Sequence, residues 1–265
     1  MPTSREGQPE EGQPEATGCT AGSDTVPTEA RAVVTGAAGG IGTTLVTALA
    51  RWGAQVFGLD VADVAAAATE DHTVGVRCDV TDPTSVERAL RTAAGASGVI
   101  DIVVVAAGRF PNRPLEQWSL EQFENLWRLN VGGAFNVVRA ALPYLRRSPA
   151  GRVVLVSSSA VHQAVPGFAP YAATKAALIG FARSAAAELA PDGVTVNVVT
   201  PGLTATTAAL TGDVAPFFEP VVAGQLIRRR LEPDDLAGGV LYLCSPGAAM
   251  ITGQVLNIDG GAVTY

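Results

Sequence analysis

Apolar and polar positions follow two alternating regimes along this chain. Short runs dense in valine, isoleucine and leucine recur at 31–35, 55–59, 72–77, 99–105, 152–155, 194–199 and 255–258. Between them, apolar residues return every three or four positions, as in Leu45, Val46, Leu49 and Trp52, or Phe135, Val138, Leu142 and Leu145. The second period marks helices with one buried side, and the near-continuous Val and Ile of 99–105 marks a strand covered on both faces. Strand and helix in alternation predict an α/β fold, a doubly wound parallel β-sheet with helices on both faces. Helices are expected over 43–52, to residue 94 from Pro83, over 117–145 with Gly132-Gly133 inside, over 171–190 and from Pro233 through Leu243. The stretch 210–226 is the least periodic of the body. An apolar lid around 203–228 and an ordinary helical packing segment both fit it.

Composition adds boundaries to this pattern. Apolar residues make up 48 % of 265, enough for one large core, so residues 30–265 read as a single domain. Residues 1–29 lack any apolar run and carry six acids against Arg5, which is −5 of the total −7. This segment reads as a disordered tail with no signal-peptide character. The body, near −2 by difference, offers no broad basic surface, which argues against a nucleic-acid partner. No apolar stretch reaches membrane-spanning length, and Cys19, Cys78 and Cys244 are odd in number and widely spaced. A cytoplasmic protein with no membrane partner, no disulfide framework and no metal site is expected.

Candidate chemistry centres on Tyr171 and Lys175. Four residues apart on a helix they share a face, where the ammonium can lower the phenol pKa and make it a proton donor and acceptor. The chain holds 17 arginines and one lysine, Lys175, so this position calls for a compact ammonium that a guanidinium does not imitate. A surface ion-pair-like arrangement is the alternative. Upstream, Gly36-Ala37-Ala38-Gly39-Gly40-Ile41-Gly42 joins the first strand to the first helix, a cradle for phosphate at a helix start, although many such turns bind nothing. Asp60 ends the second strand 18 residues after Gly42, placed to accept hydrogen bonds from an adenosine ribose diol and to repel a 2′-phosphate. With Val61 and Ala62 beside it and no basic residue in the turn, NAD is favoured over NADP; capping of the alanine run that follows is the other reading. Asp79 ends the third strand within reach of an adenine amino group. Asn130 lies among apolar neighbours and must be hydrogen-bonded. Ser158 precedes Tyr171 by 13 residues, so both can face one carbonyl. Ser158, His162, Val165, Phe168, Leu203, Phe217 and Phe218 are expected to form a mainly apolar substrate pocket.

Taken together, these residues resemble the short-chain dehydrogenase/reductase family from about residue 30 to the C-terminus. Thr35-Gly36, Gly40, Ile41 and Gly42 match its cofactor turn, Asp60 its ribose acid, and Asp79-Val80 its adenine contact. Asn130, Ser158, Tyr171 and Lys175 match its catalytic tetrad, and Pro201-Gly202 with Thr204 its nicotinamide contact. Ala107 and Gly108 align with its Asn-Asn-Ala-Gly segment, from which Val105-Ala106-Ala107-Gly108 departs, leaving open how that loop is held. The resemblance implies a Rossmann-type fold and an NAD(H)-dependent oxidoreductase that interconverts a secondary alcohol and a ketone. In it Lys175 would hold the nicotinamide ribose, and Asn130 would anchor Lys175 through a water. It also implies a homotetramer, for which the apolar helices 117–145 and 171–190 are candidate interfaces. Relatives built on this fold include epimerases and non-catalytic binding proteins, so an NAD-responsive binding protein or an epimerase are the alternatives.

Overall fold

Each valine-rich run becomes a strand, and together they form one sheet in the order β3-β2-β1-β4-β5-β6-β7 with all neighbouring pairs parallel. The computed structural model describes residues 30–64 and 71–264; the acidic tail and most of the alanine run after Asp60 lie outside them. The strands are β1 (Arg31–Thr35), β2 (Gln55–Asp60), β3 (Thr73–Arg77), β4 (Ile102–Val105), β5 (Arg152–Val156), β6 (Thr195–Pro201) and β7 (Val255–Ile258).

Alternate side chains of these strands feed two separate cores, as the two-residue period of a strand requires. Val33, Phe57, Val103, Val153 and Val196 pack with α2 (Pro83–Ala94), α4 (Gly133–Leu145) and α5 (Ala169–Leu189). Ala32, Val34, Val104 and Val154 face the other way, against α1 (Gly40–Arg51) and α8 (Pro233–Cys244). This is a single-domain Rossmann-like α/β fold. Each fully buried Val or Leu contributes about 1.5–3 kcal/mol, so a polar side chain in either layer must be partnered or offset by function. No helix of the described residues is long and apolar enough to cross a membrane.

Several boundaries differ from the sequence reading. β4 starts at Ile102 rather than 99; just before it Asp101 still bonds both neighbours through its backbone, donating to Arg31 O (2.9 Å) and accepting from Arg152 N (2.8 Å), and its carboxylate accepts from the Arg31 N–H (2.8 Å) and the Ser148 hydroxyl (2.6 Å). α3 spans Leu120–Trp127 instead of starting at 117, since Ser119 and Gln122 form a capping box. The chain then widens into a π-helical turn, Arg128–Gly132, before α4. Such turns occur often at functional sites, and this one carries Asn130. α5 opens at Ala169, two residues before Tyr171, with Pro170 in its first turn.

Candidate functional site

The order of the strands reverses beside β1, where β2 and β4 leave in opposite directions, and the crevice at the carboxyl ends of the strands opens there. Gly36 adopts φ +71°, and a Cβ on it would sit 2.8 Å from the Ala107 backbone; a Cβ on Gly42 would overlap the Gly36 carbonyl. These two glycines let the β1–α1 turn fold onto itself and against the loop after β4. α1 then begins at Gly40 with no side-chain cap and no acid in its first turn. Its first N–H groups and the positive end of its dipole are therefore available to an anion, and Gly36, Gly40, Ile41 and Gly42 all line the cleft. The turn fits a dinucleotide pyrophosphate.

Asp60 lies on the cleft wall and accepts from Ala38 N with one oxygen and Ala62 N with the other, both at 3.0 Å. Each oxygen keeps a further lone pair for a ribose hydroxyl. The carboxylate thus braces the glycine turn as well as facing the cleft. Asp79 holds Thr81 through Oδ1, at 2.8 Å to the amide and 2.7 Å to the hydroxyl, and lines the cleft with Val80.

Without the family's asparagines, the loop after β4 is held by other groups. Thr35 Oγ1 accepts from both Ala106 N and Ala107 N at 3.2 Å. Asn130, 1 % exposed, accepts from Arg109 N at 2.9 Å and donates to Arg109 O at 3.0 Å, while its second amide hydrogen reaches Thr174 Oγ1 at 3.0 Å. The buried amide is satisfied, and it ties the loop to α5. No direct bond joins Asn130 to Lys175; the two meet over Gly108, where an added Cβ would lie 3.0 Å from Asn130 Oδ1 and 3.4 Å from Lys175 Nζ.

The end of β5 and the start of α5 bring the remaining groups together. Ser157 donates its hydroxyl to the Lys175 carbonyl (2.8 Å), and Lys175 Nζ returns a bond to the Val156 carbonyl (2.9 Å). Ser158 lies beside the Tyr171 phenol on the cleft wall, and its Oγ accepts from Ala160 N at 3.2 Å. Lys175 Nζ is 5.9 Å from the Tyr171 ring centre. Burial pushes the Tyr171 phenol up to about 12, against the smaller downward pull of Ser158. Burial also draws the Lys175 ammonium down to about 8. The lowered phenol pKa expected from the i, i+4 pair is thus not found in the protein alone: desolvation exceeds the influence of an ammonium whose bond goes to Val156.

One cleft of about 790 Å³ joins these parts. Ala107, Gly108, Ser158, Tyr171, Lys175, Pro201, Gly202 and Thr204 line it, together with Val165, Phe168, Leu203 and Phe217 from the expected substrate pocket. Thr204 turns its hydroxyl back onto the Gly202 carbonyl at 3.0 Å. Two residues expected in the pocket are not part of its wall. His162 follows the short turn at Ser159–Val161 and faces outward, and Gln163 lines the cleft in its place. Phe218 turns inward at the start of α7 (Phe218–Gly224), buried with Ala209 and Val214 under the Arg230 guanidinium, 5.3 Å from its ring. Phe110, Leu129, Val214, Pro220 and Val221 line the cleft without having been singled out. Phe110 was findable, since it directly follows a strand-end loop on the side where ligands bind.

The segment 203–228 contributes several residues to the cleft wall and folds as helical turns, with α6 (Thr207–Thr211) and α7 linked by a short turn at Ala215–Phe217. Its base is closed where Ala205 N bonds Leu231 O at 2.7 Å, and its far end where Ile227 N bonds Gly260 O at 2.8 Å. Thr206 packs onto the glycine turn, for a Cβ on Gly40 would lie 2.8 Å from its side chain.

Comparison with known proteins agrees with this geometry. Residues 36–263 match the family model described as enoyl-(acyl carrier protein) reductase. The chain is 35 % identical over 237 residues to the 3-oxoacyl-[acyl-carrier-protein] reductase FabG of Escherichia coli K12, covering 87 % of this chain and 96 % of that one. It is 33 % identical over 246 residues to the short-chain reductase protein NovJ of Streptomyces niveus, covering 88 % and 94 %. The crystal structure of a dehydrogenase/reductase from Sinorhizobium meliloti 1021 superposes with a TM-score of 0.82 at 32 % identity, over 91 % of this chain and 98 % of that one. A glycine turn at the sheet's switch point, a Ser–Tyr–Lys cluster at the end of β5, and relatives matched over nearly their whole length make this chain a member of the short-chain dehydrogenase/reductase family.

Proposed function

We propose that the protein is an NAD(H)-dependent oxidoreductase that interconverts a secondary alcohol and a ketone on a mainly apolar substrate. The observation that carries this reading is that Ser158, Tyr171 and Lys175 line the same cleft as the uncapped start of α1. The α1 turn would hold the pyrophosphate, Asp60 the adenosine ribose, Asp79 and Val80 the adenine, and Ala107 and Gly108 the loop side. Tyr171 and Lys175 would hold the nicotinamide ribose, and Pro201, Gly202 and Thr204 the carboxamide. A bound nicotinamide supplies a hydride donor or acceptor at C4. Ser158 orients and polarises the substrate oxygen. Tyr171, neutral over the physiological range, gives its phenolic proton to a ketone oxygen and takes one from an alcohol after losing it.

Relatives are named for reducing a 3-oxoacyl group on a carrier protein, so 3-oxoacyl thioesters belong in any substrate panel together with alkyl and aryl ketones. The 203–228 segment serves as the apolar lid over such a substrate. A homotetramer fits the apolar side chains left exposed on α3 and α4, Leu120, Trp127 and Phe135.

Asp60 favours NAD through repulsion and desolvation of a 2′-phosphate. Among the residues lining the cleft the cations are Arg109 and Lys175, neither of them on the Asp60 side strands. Turnover of the ketone panel with NADH and NADPH tests both the reaction and this choice. NADH is expected to give the higher kcat/KM, and Asp60→Ala to bring the two cofactors closer; a wild-type preference for NADPH would remove Asp60 from this role.

The pKa directions give a pH signature. Lys175 is cationic below about 8 and loses its proton above it, while Tyr171 keeps its proton through that range. Ketone reduction is therefore expected to be flat from pH 6 to about 8 and to fall above it, whereas alcohol oxidation climbs with pH as the phenolate fraction grows. Profiles of kcat in both directions check this, and a reduction rate that rises from pH 8 to 10 is the contrary result.

A further inference from the structure

Arg109 has no role in the chemistry above, yet it lines the cleft. Its backbone is clamped at both ends by Asn130, which accepts from its N–H at 2.9 Å and donates to its carbonyl at 3.0 Å. The residue before it, Gly108, is the point where Asn130 and Lys175 meet. The root of the side chain is therefore fixed beside the reacting groups. Its guanidinium, by contrast, makes no hydrogen bond or ion pair with any described residue. Neighbouring Arg113 differs: it bonds Gln122 Oε1 at 3.1 Å and stacks on Trp118 at 5.1 Å. The acids that line the cleft, Asp60 at the end of β2 and Asp79 just after β3, spend oxygens on backbone N–H groups of nearby turns. On the substrate side the wall is mainly apolar, with Phe110, Val165, Phe168, Val214 and Phe217 beside Gln163, so an oxyanion entering there meets the exposed Arg109, whose backbone is clamped, and no competing carboxylate.

We infer that the substrate carries a carboxylate on its apolar body and that Arg109 is the specificity-determining residue that binds it. Planar guanidinium and carboxylate match as a two-bond pair. The inference rests on the oxidoreductase reading for the identity of the ligand as substrate, and binding is measured separately so that the two can fail separately.

The probes are 4-, 5- and 6-oxodecanoate and their methyl esters with NADH and NADPH, and decanoate against decanamide for equilibrium binding to the dinucleotide-loaded protein. Wild type is expected to favour at least one keto acid over its ester. In Arg109→Met the acid/ester ratio of kcat/KM, each enzyme serving as its own reference, falls roughly 10- to 150-fold, the worth of a hydrogen-bonded charge. Arg109→Lys keeps the charge without the fork and recovers part of the ratio. Decanoate likewise binds more tightly than decanamide to wild type, with the difference lost in Arg109→Met. Equal binding of decanoate and decanamide to wild type overturns the inference even if the esters are reduced. An Arg109→Met defect that appears as weaker dinucleotide binding, with the acid/ester ratio intact, overturns it too by assigning the guanidinium to the cofactor phosphates. Arg109-dependent decanoate binding with no ketone reduced supports an anion site at Arg109 while counting against the oxidoreductase reading.

Discussion

Tyr171→Phe is expected to lower ketone turnover at least about 100-fold while leaving dinucleotide binding and the thermal melt near those of wild type. The substitution removes one oxygen and with it the proton that the substrate oxygen receives, a contribution typically worth about 10²–10⁴ in rate. The ring keeps its packing, including the contact with Phe168 at 5.2 Å between centres. Stability should change little, because the substitution keeps the ring and Ser158 beside the phenol is itself only partly buried at the cleft wall. Turnover of one identified ketone, a dinucleotide titration and a melt on the same preparation separate the outcomes. Near-wild-type turnover would take the proton transfer away from Tyr171 and return it to Ser158 or another acid.

Lys175→Arg should be at least as damaging, despite keeping a positive charge. Lys175 is 5 % exposed, bonded to the Val156 carbonyl, and faces Gly108 so closely that a Cβ there would lie 3.4 Å from Nζ. A longer, forked guanidinium overpacks this position, at a typical cost of about 1–3 kcal/mol. It also stays charged where burial has drawn the ammonium down to about 8. Both a lower melting temperature and loss of turnover are expected. Lys175→Met, close in volume and uncharged, separates the two effects: turnover should fall at least about 100-fold while the melt holds, because the desolvation cost of the cation disappears along with its bond to Val156. An arginine variant with wild-type turnover would make this an ordinary ion-pair position, of the kind worth about 0–1 kcal/mol.

The fold was legible because the strands announce themselves. Burial of β4 on both faces requires the near-continuous run Ile102, Val103, Val104 and Val105, and β1 ends just before Gly36 and β6 at Pro201-Gly202, whose backbone needs are local. The cleft's main groups were legible for a related reason: Gly36 to Gly42, Asp60, Ser158, Tyr171 and Lys175 sit at strand ends or one helical turn apart, where sequence spacing becomes distance. What was not legible depends on contacts between distant segments. The π-helical turn at Asn130 is held by Arg109 and Thr174, which are 21 and 44 residues away. The directions of His162 and Phe218 are set in segments without a regular period, so nothing in their spacing says which side chain faces the ligand. The phenol pKa went opposite to expectation because a four-residue spacing reports proximity to an ammonium and not the burial of both groups.

If this cleft moves a hydride between a nicotinamide and a carbonyl carbon while Tyr171 supplies the proton, label transfer shows it directly. Wild type and Tyr171→Phe are incubated with NADH deuterated at C4, on each face in turn, and a panel of alkyl ketones, aryl ketones and 3-oxoacyl thioesters, and the alcohols are weighed by mass spectrometry. One deuterium on the carbinol carbon, from one face only, is expected in wild type, with product at least about 100-fold scarcer in Tyr171→Phe. Tight NADH binding with no labelled alcohol from any ketone of the panel, or equal label from both enzymes, would contradict it.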